Sequence, residues 1–214
     1  MEKIYYDNST YIWKTKLNLL NYKDELLKEA VELMNGKPGV MDTYHHIRQE
    51  VLDGTINFLS LETKSIFQKI SNTSVSLCKE LYSQEKITYN NVILSTWVNV
   101  VRGKNPRQPA FTKEGNERYH KHTDITEQAG AFEPKYTFVY YIQMPDIMNN
   151  DDGVLYFLGE NNTEYKIRPE EDDLIIMKGD VPHFPNNAPN ATLDRYVLAG
   201  NVGFSNIKKN KTLF

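Results

Sequence analysis

Two stretches in the first part of the chain repeat apolar residues at steps of three and four. In residues 16–34 these residues are Leu17, Leu20, Leu26, Leu27, Ala30, Val31 and Met34. In residues 59–85 they are Leu61, Ile66, Ile70, Val75, Leu77, Leu81 and Tyr82, with Cys78 among them. Such spacing gathers apolar side chains on one face of a helix, and glycine and proline after residue 35 supply a stop signal. We therefore predict two amphipathic helices, no clear period in residues 1–15, and a loop over residues 35–58.

From residue 89 the pattern changes to alternation. In residues 91–101 one predicted face carries Val92, Leu94, Thr96, Val98 and Val100, and the other carries Ile93, Trp97 and Val101. Further short β-rich stretches occupy residues 136–144, 153–158, 164–168, 173–177 and 194–204. Many short strands separated by turn residues are typical of an antiparallel sandwich or jelly roll. The two helices would then cover one face of the sheet.

Composition narrows the class of protein. The chain has 214 residues, 40% hydrophobic and 25% charged, which describes one ordinary globular domain. Its net charge of -3 argues against a general nucleic-acid binder, which is usually basic. A single cysteine, Cys78, excludes an internal disulfide framework. Because we find neither a signal peptide nor a long apolar run, we expect a cytoplasmic protein without a membrane span.

Candidate metal ligands lie at His122, Asp124 and His183. On an extended segment side chains alternate faces, so His122 and Asp124 point the same way, with Cα atoms roughly 7 Å apart. A third ligand must then come from another strand, and His183 follows some sixty residues later. Two histidines and one carboxylate on one face of the metal are typical of non-haem Fe(II) oxygenases. The adjacent pair His45-His46 is predicted to have a surface or structural role, because neighbours rarely face one ion together.

With these ligands in place, residues 91–204 resemble the 2-oxoglutarate and Fe(II)-dependent dioxygenases, and among them the prolyl 4-hydroxylase-like branch. The matching segments, in chain order, are Tyr119-x-x-His122-x-Asp124, Val139-Tyr140-Tyr141-Ile142, Asp152-Gly153-Val154-Leu155, Ile167-Arg168-Pro169 with residues 173–177, Pro182-His183, and Arg195-Tyr196-Val197-Leu198. The resemblance implies an α+β, mainly β protein with a double-stranded β-helix (jelly-roll) core. The core would span residues 89–206, with a helical cover in residues 1–88 and a tail in residues 207–214.

The resemblance also implies the chemistry. Fe(II) would be held by His122, Asp124 and His183, with 2-oxoglutarate as cosubstrate and O2 as oxidant; ascorbate is a further cofactor that the resemblance allows. Arg195 would pair with the far carboxylate of 2-oxoglutarate, because a guanidinium meets a carboxylate with two parallel hydrogen bonds. The remaining predicted cosubstrate contacts are Tyr141, Val139, Leu155 and Asn201. The expected reaction is hydroxylation of a substrate with conversion of 2-oxoglutarate to succinate and CO2.

The substrate is left open by the sequence. Phe111 stands where many relatives have a tyrosine, and Ala199 where many have a polar residue, so prolyl specificity does not follow. A protein side chain, a free amino acid or metabolite, and a nucleobase are the candidates, with nucleic acid disfavoured by charge. Residues 102–121 are either a solvated loop or a lid beside the metal. Two rival hypotheses are a cupin-like metalloprotein of other chemistry and a non-catalytic jelly-roll binding module; the sequence predicts no oligomeric state.

Overall fold

The computed structural model of the protein describes residues 1–5, 11–33, 41–44, 50–52, 66–84, 91–101, 119–122, 135–146, 151–186, 188 and 190–205. Within these ranges the chain forms two α-helices, α1 (Lys23–Leu33) and α2 (Ile66–Gln84). The strands are β1 (Glu2–Tyr5), β2 (Tyr11–Lys16), β3 (Met41–Tyr44), β4 (Glu50–Leu52), β5 (Asn91–Val101), β6 (Tyr136–Gln143), β7 (Leu155–Leu158), β8 (Glu164–Ile167), β9 (Asp173–Lys178), β10 (His183–Pro185) and β11 (Arg195–Ser205). Short 3-10 turns occur at Leu20–Tyr22 and Glu160–Asn162.

The strands form two antiparallel sheets. In the large sheet the order is β1-β2-β9-β6-β11-β5-β3, and β4 also pairs with β5. In the small sheet the order is β10-β7-β8. The protein is therefore mainly β with few helices, as the sequence predicts.

The two faces of the large sheet pack into different cores, as strand β6 shows. Phe138 and Tyr140 of β6 point to the helix side and pack in one core with Leu26, Ile70 and other residues of α1 and α2. The neighbouring Tyr141 points the other way, into a second core with Leu155 and Phe157 of the small sheet. Both helices therefore pack against the Phe138 face of the large sheet. Cys78 of α2 is fully buried in the helix-side core.

The predicted β-rich stretches from residue 91 onwards form strands β5 to β9 and β11, whereas β10 was not predicted as a strand and the earlier part of the chain needs correction. Residues 1–15 contain β1 and most of β2, and the predicted loop 35–58 contains β3 and β4. Residues 1–88 therefore supply edge strands of the large sheet as well as helices. Helix α1 begins at Lys23, not at residue 16, because residues 11–16 are strand β2.

A buried carboxylate joins the segment before α1 to the turn before β9. Asp172 accepts hydrogen bonds from the backbone N–H groups of Asn18 and Leu19, at 2.7 and 2.9 Å, and from the Tyr140 hydroxyl at 2.9 Å. Its side chain is almost fully buried, and it adopts a left-handed backbone conformation with a φ of 71°. Because buried carboxylates need such donors, this contact fixes where the N-terminal segment lies on the sheet.

No helix in the described part of the chain is long and apolar enough to cross a membrane.

Candidate metal centre and adjoining cavity

The segment 119–122 lies beside the start of β10 and is held there by backbone hydrogen bonds. The N–H of His120 donates to the carbonyl of His183 at 3.1 Å, and the N–H of His183 donates back at 3.0 Å. The N–H of His122 donates to the carbonyl of Gly179 at 3.0 Å. Two residues that exchange hydrogen bonds in an antiparallel pair have side chains on the same face. His120, His122 and His183 are therefore brought to one place.

His122 and His183 form the centre of the cluster. Their Nε2 atoms are 3.3 Å apart, and both rings are buried. The Nδ1 atom of His183 lies 3.0 Å from the carbonyl oxygen of Val181. Because a carbonyl only accepts, this Nδ1 carries the hydrogen, and the Nε2 of the neutral ring presents its lone pair. Such a second partner is what orients metal-binding histidines in general.

The pair fits one divalent cation. Two nitrogens bound at about 2.1 Å in neighbouring positions of one ion are about 3 Å apart, close to the observed separation. The Nδ1 of His122 is buried and has no hydrogen-bond partner among the described residues, so none of them turns its Nε2 away from His183. The arrangement of the two rings therefore suits a shared ligand between their Nε2 atoms.

Burial keeps these rings neutral. It lowers the pKa of His122 to about 3, with a smaller contribution from nearby His120. It lowers the pKa of His183 well below the usual value, with further contributions from His120 and His122. Partial burial of His120 has the same effect on its pKa. Metals bind unprotonated imidazole, so at neutral pH no proton has to be displaced from the cluster.

His120 is the functional candidate that the sequence analysis missed. Its ring nitrogens belong to a group, with His122 and His183, whose possible ligand atoms lie within 4.8 Å of one another. The signal was available, because His120 is two residues before His122 and period two places both on one face. The predicted ligand Asp124 lies outside the described residues, as do His45, His46 and residues 102–118 of the predicted lid.

A cavity of about 490 Å³, part of it open to solvent, adjoins the histidines between the two sheets. Its lining includes four of the five residues predicted to contact the cosubstrate: Arg195, Tyr141, Val139 and Leu155. The fifth, Asn201, is absent from that lining. Its Oδ1 accepts a hydrogen bond from the hydroxyl of Thr137 at 2.9 Å, and Thr137 does line the cavity. Their roles toward a ligand stay predictions.

Arg195 is a buried cation at this cavity. Only 3% of its surface is exposed, and its Nη1 donates to the carbonyl oxygen of Asn186 at 2.8 Å. Among the described residues no carboxylate pairs with it. Burial lowers its pKa, which neighbouring Tyr141 partly offsets, and burial raises the pKa of Tyr141, which keeps its hydroxyl proton. A buried charge without a counter-charge is unfavourable, so Arg195 favours an anionic ligand.

Two further lining residues come from β5. Asn99 lies directly across from Val197 of β11, which in turn lies across from Tyr141 of β6. The Oδ1 of Asn99 is buried and has no hydrogen-bond partner in the described part of the chain. Trp97 stacks on His122, with ring centroids 5.5 Å apart and planes at 29°. The sequence had placed Trp97 on the strand face opposite Val98 and Val100, but alternation alone does not separate a cavity wall from core.

Comparison with known proteins finds solved structures with a similar fold. No protein-family model and no curated protein matches the sequence, but solved structures match the fold. A prolyl-4-hydroxylase from Pseudomonas putida has a TM-score of 0.51 and 12% identity over 90% of this chain and 92% of its own. A protein assigned to the 2OG-Fe(II) oxygenase family from Caulobacter crescentus has a TM-score of 0.53 and 12% identity over 94% and 80%. IDO from Bacillus thuringiensis has a TM-score of 0.58 and 11% identity over 90% and 92%.

The chain therefore has the fold found in prolyl-4-hydroxylase and 2OG-Fe(II) oxygenase structures. The resemblance inferred from the sequence is confirmed at the level of the fold. Identities of 11 to 12% carry no further conclusion about activity or substrate.

Proposed function

We propose that the protein is a 2-oxoglutarate- and Fe(II)-dependent oxygenase that hydroxylates an unidentified substrate. One observation carries the proposal: a single cavity is lined both by Arg195 and by His122 and His183. The buried guanidinium of Arg195 has no carboxylate partner among the described residues, and the two Nε2 atoms of the histidines lie 3.3 Å apart. A ligand that binds metal at one end and carries a carboxylate at the other end meets both requirements. 2-Oxoglutarate is such a ligand.

His122 and His183 would hold the metal together with Asp124. Asp124 is two residues beyond His122, and an extended backbone continued from segment 119–122 would point its carboxylate the same way. When bound, Fe(II) and 2-oxoglutarate would supply the chemistry by which O2 hydroxylates a C–H bond: one oxygen atom of O2 enters the product, the other enters succinate, and 2-oxoglutarate loses CO2. The expected donor set, two imidazoles and one carboxylate with open positions, suits Fe(II).

The chain itself positions the cosubstrate and excludes water. Arg195 would bind the far carboxylate with two parallel hydrogen bonds, and the neutral Tyr141 hydroxyl would donate a third. Val139 and Leu155 would form apolar walls, and Asn201 would act through Thr137, whose hydroxyl it orients. Trp97 covers one face of the His122 ring and would shield the metal ligand from solvent.

Other predictions remain part of the proposal. We propose that the two sheets are the layers of a double-stranded β-helix spanning residues 89–206, with residues 1–88 as a cover and residues 207–214 as a tail. The cavity between the sheets supports that interpretation. A small molecule or a protein side chain as substrate, a cytoplasmic location, and ascorbate as accessory reductant stay predictions.

An anaerobic titration of the metal-free protein with Fe(II) and 2-oxoglutarate tests the proposal. A weak visible charge-transfer band should appear in the wild type and disappear in His183→Ala. His45→Ala is the control, since we assign His45 no role at the metal, and its band should equal that of the wild type. Absence of the band from folded, metal-loaded wild-type protein would refute the proposal.

The three-histidine cluster gives one rival a specific observation in its favour. A cupin-like metalloprotein of other chemistry could use imidazoles alone and would have no need of an anion site. Its activity would survive replacement of Arg195, whereas the proposed oxygenase would lose affinity for 2-oxoglutarate. A non-catalytic module would bind ligand but form no succinate, which a product assay detects.

A further inference from the structure

His120 is placed at the metal centre by the same backbone contact that places His183. The two residues lie directly opposite each other, and their ring centroids are 4.4 Å apart. The ring of His120 is 5.3 Å from that of His122. Of the three histidines His120 is the least buried. In the described part of the chain no hydrogen bond holds its ring nitrogens in another direction.

The distances put His120 within reach of an ion held by the other two rings. The possible ligand atoms of the three histidines lie within 4.8 Å of one another. Nitrogens bound to one ion at about 2.1 Å in a tetrahedral arrangement are about 3.4 Å apart. The His120 nitrogen thus needs a shift of about 1.5 Å or less, within what rotation about a soft ring torsion provides. Its partial exposure leaves room for that rotation.

We propose that His120 is a third imidazole ligand, so that His120, His122 and His183 can hold a divalent cation without Asp124. Imidazole is a good ligand for cobalt, nickel, copper and zinc, so the cluster would accept these ions as well as iron. The inference rests on the metal-binding part of the proposed function and not on 2-oxoglutarate. It concerns the ion without cosubstrate, where His120 adds a ligand to the two histidines and one carboxylate that the sequence predicts; His120 would have to leave the ion for 2-oxoglutarate and O2 to occupy three positions.

Cobalt(II) alone is the probe, because it has a visible spectrum that reports its ligands and needs no cosubstrate. Affinity is measured by calorimetry and the spectrum by absorption for the wild type, Asp124→Ala, His120→Phe and the double variant. Asp124→Ala should still bind cobalt, and the double variant should bind at least about 100-fold more weakly than Asp124→Ala. His120→Phe alone should change the cobalt spectrum. Lys121→Ala, on the opposite face of the same segment, should match the wild type in both measurements.

Two outcomes would overturn the inference. One is complete loss of cobalt binding in Asp124→Ala while its circular dichroism and melting temperature match those of the wild type. The other is a His120→Phe variant with unchanged cobalt affinity and spectrum. If cobalt behaves as expected but the Fe(II)–2-oxoglutarate band is absent, the oxygenase proposal fails and the three-histidine site stands. If the wild type binds neither metal, both fail.

Discussion

Replacing Arg195 with methionine tests the anion site most directly. Methionine keeps much of the length of arginine but removes the charge and all five N–H donors. In the structure Arg195 is 3% exposed, and its hydrogen bond to the carbonyl of Asn186 is 2.8 Å long. Because no described residue supplies a carboxylate to Arg195, the counter-charge would come from the carboxylate of a bound ligand. The variant therefore removes an interaction with the ligand and very little within the protein.

Arg195→Met should weaken 2-oxoglutarate binding without lowering the free energy of unfolding. Breaking a buried charge pair by removing one partner costs about 3–5 kcal/mol, which corresponds to a 2-oxoglutarate Kd about 150- to 5000-fold higher. In the ligand-free protein the same change removes an unpaired buried charge, so the free energy of unfolding should be unchanged or higher. Arg195→Lys should bind at an intermediate level, because lysine keeps the charge but lacks the planar fork.

Calorimetry of 2-oxoglutarate binding to metal-loaded protein gives the Kd, and urea unfolding of the ligand-free protein gives the stability. Arg168→Met is the matched control: Arg168 is exposed, is absent from the cavity lining, and donates to the carbonyl of Asp152. Its 2-oxoglutarate affinity should equal that of the wild type. A Kd within twofold of wild type for Arg195→Met would remove Arg195 from the anion site. Loss of affinity accompanied by unfolding would instead assign it a structural role.

Three further predictions concern stability and reactivity. Asp172→Ala should lower the free energy of unfolding in urea by about 3 kcal/mol or more, since the buried Leu19 N–H and Tyr140 hydroxyl and the part-buried Asn18 N–H lose their acceptor, whereas Tyr140→Phe should lower it by about 1–2 kcal/mol; equal effects would contradict the network. For the metal-free protein, stability should fall as the pH drops from about 6.5 toward 3, because the unfolded chain protonates His122 while the folded ring, with a pKa of about 3, stays neutral. His122 contributes about 1.4 kcal/mol per pH unit to the slope, and His183 and His120, whose pKa values burial also lowers, add to it, so His122→Asn should reduce the slope without abolishing it. Burial raises the pKa of the Cys78 thiol, so a disulfide reagent should label it only in denaturant; rapid labelling of the native protein would argue against its burial.

The strands that form the cavity could be read from the sequence because each has a different environment on its two faces. In β5 the apolar residues Val92, Leu94, Val98 and Val100 face the helices, while Trp97 and Asn99 face the cavity. The period-two pattern therefore marks both the strand and its sides. The assignment of Arg195 and Tyr141 to one ligand site came from the family resemblance and not from this pattern, and both residues line the cavity.

The N-terminal strands of the large sheet could not be read in this way. Strand β2 lies between β1 and β9, with Ile12 buried in the core between the sheets and Trp13 in the core beneath the helices. Apolar residues on both faces leave no alternation to detect. Its partner β9 is also some 160 residues away, and pairing over such a distance leaves no local signal. His120 was missed for another reason: His122, Asp124 and His183 already complete the pattern of two histidines and one carboxylate.

The position of β11 has a consequence for how the protein folds. It is the last strand of the described chain, yet it lies in the middle of the large sheet, between β6 and β5. Until residues 195–205 leave the ribosome, β5 and β6 each keep an open edge, and the sheet exists only as two separate halves. Closing it requires contacts between distant parts of the chain, which slows folding and leaves unpaired edges exposed to other chains. The protein should therefore refold slowly, with a yield that falls as its concentration rises.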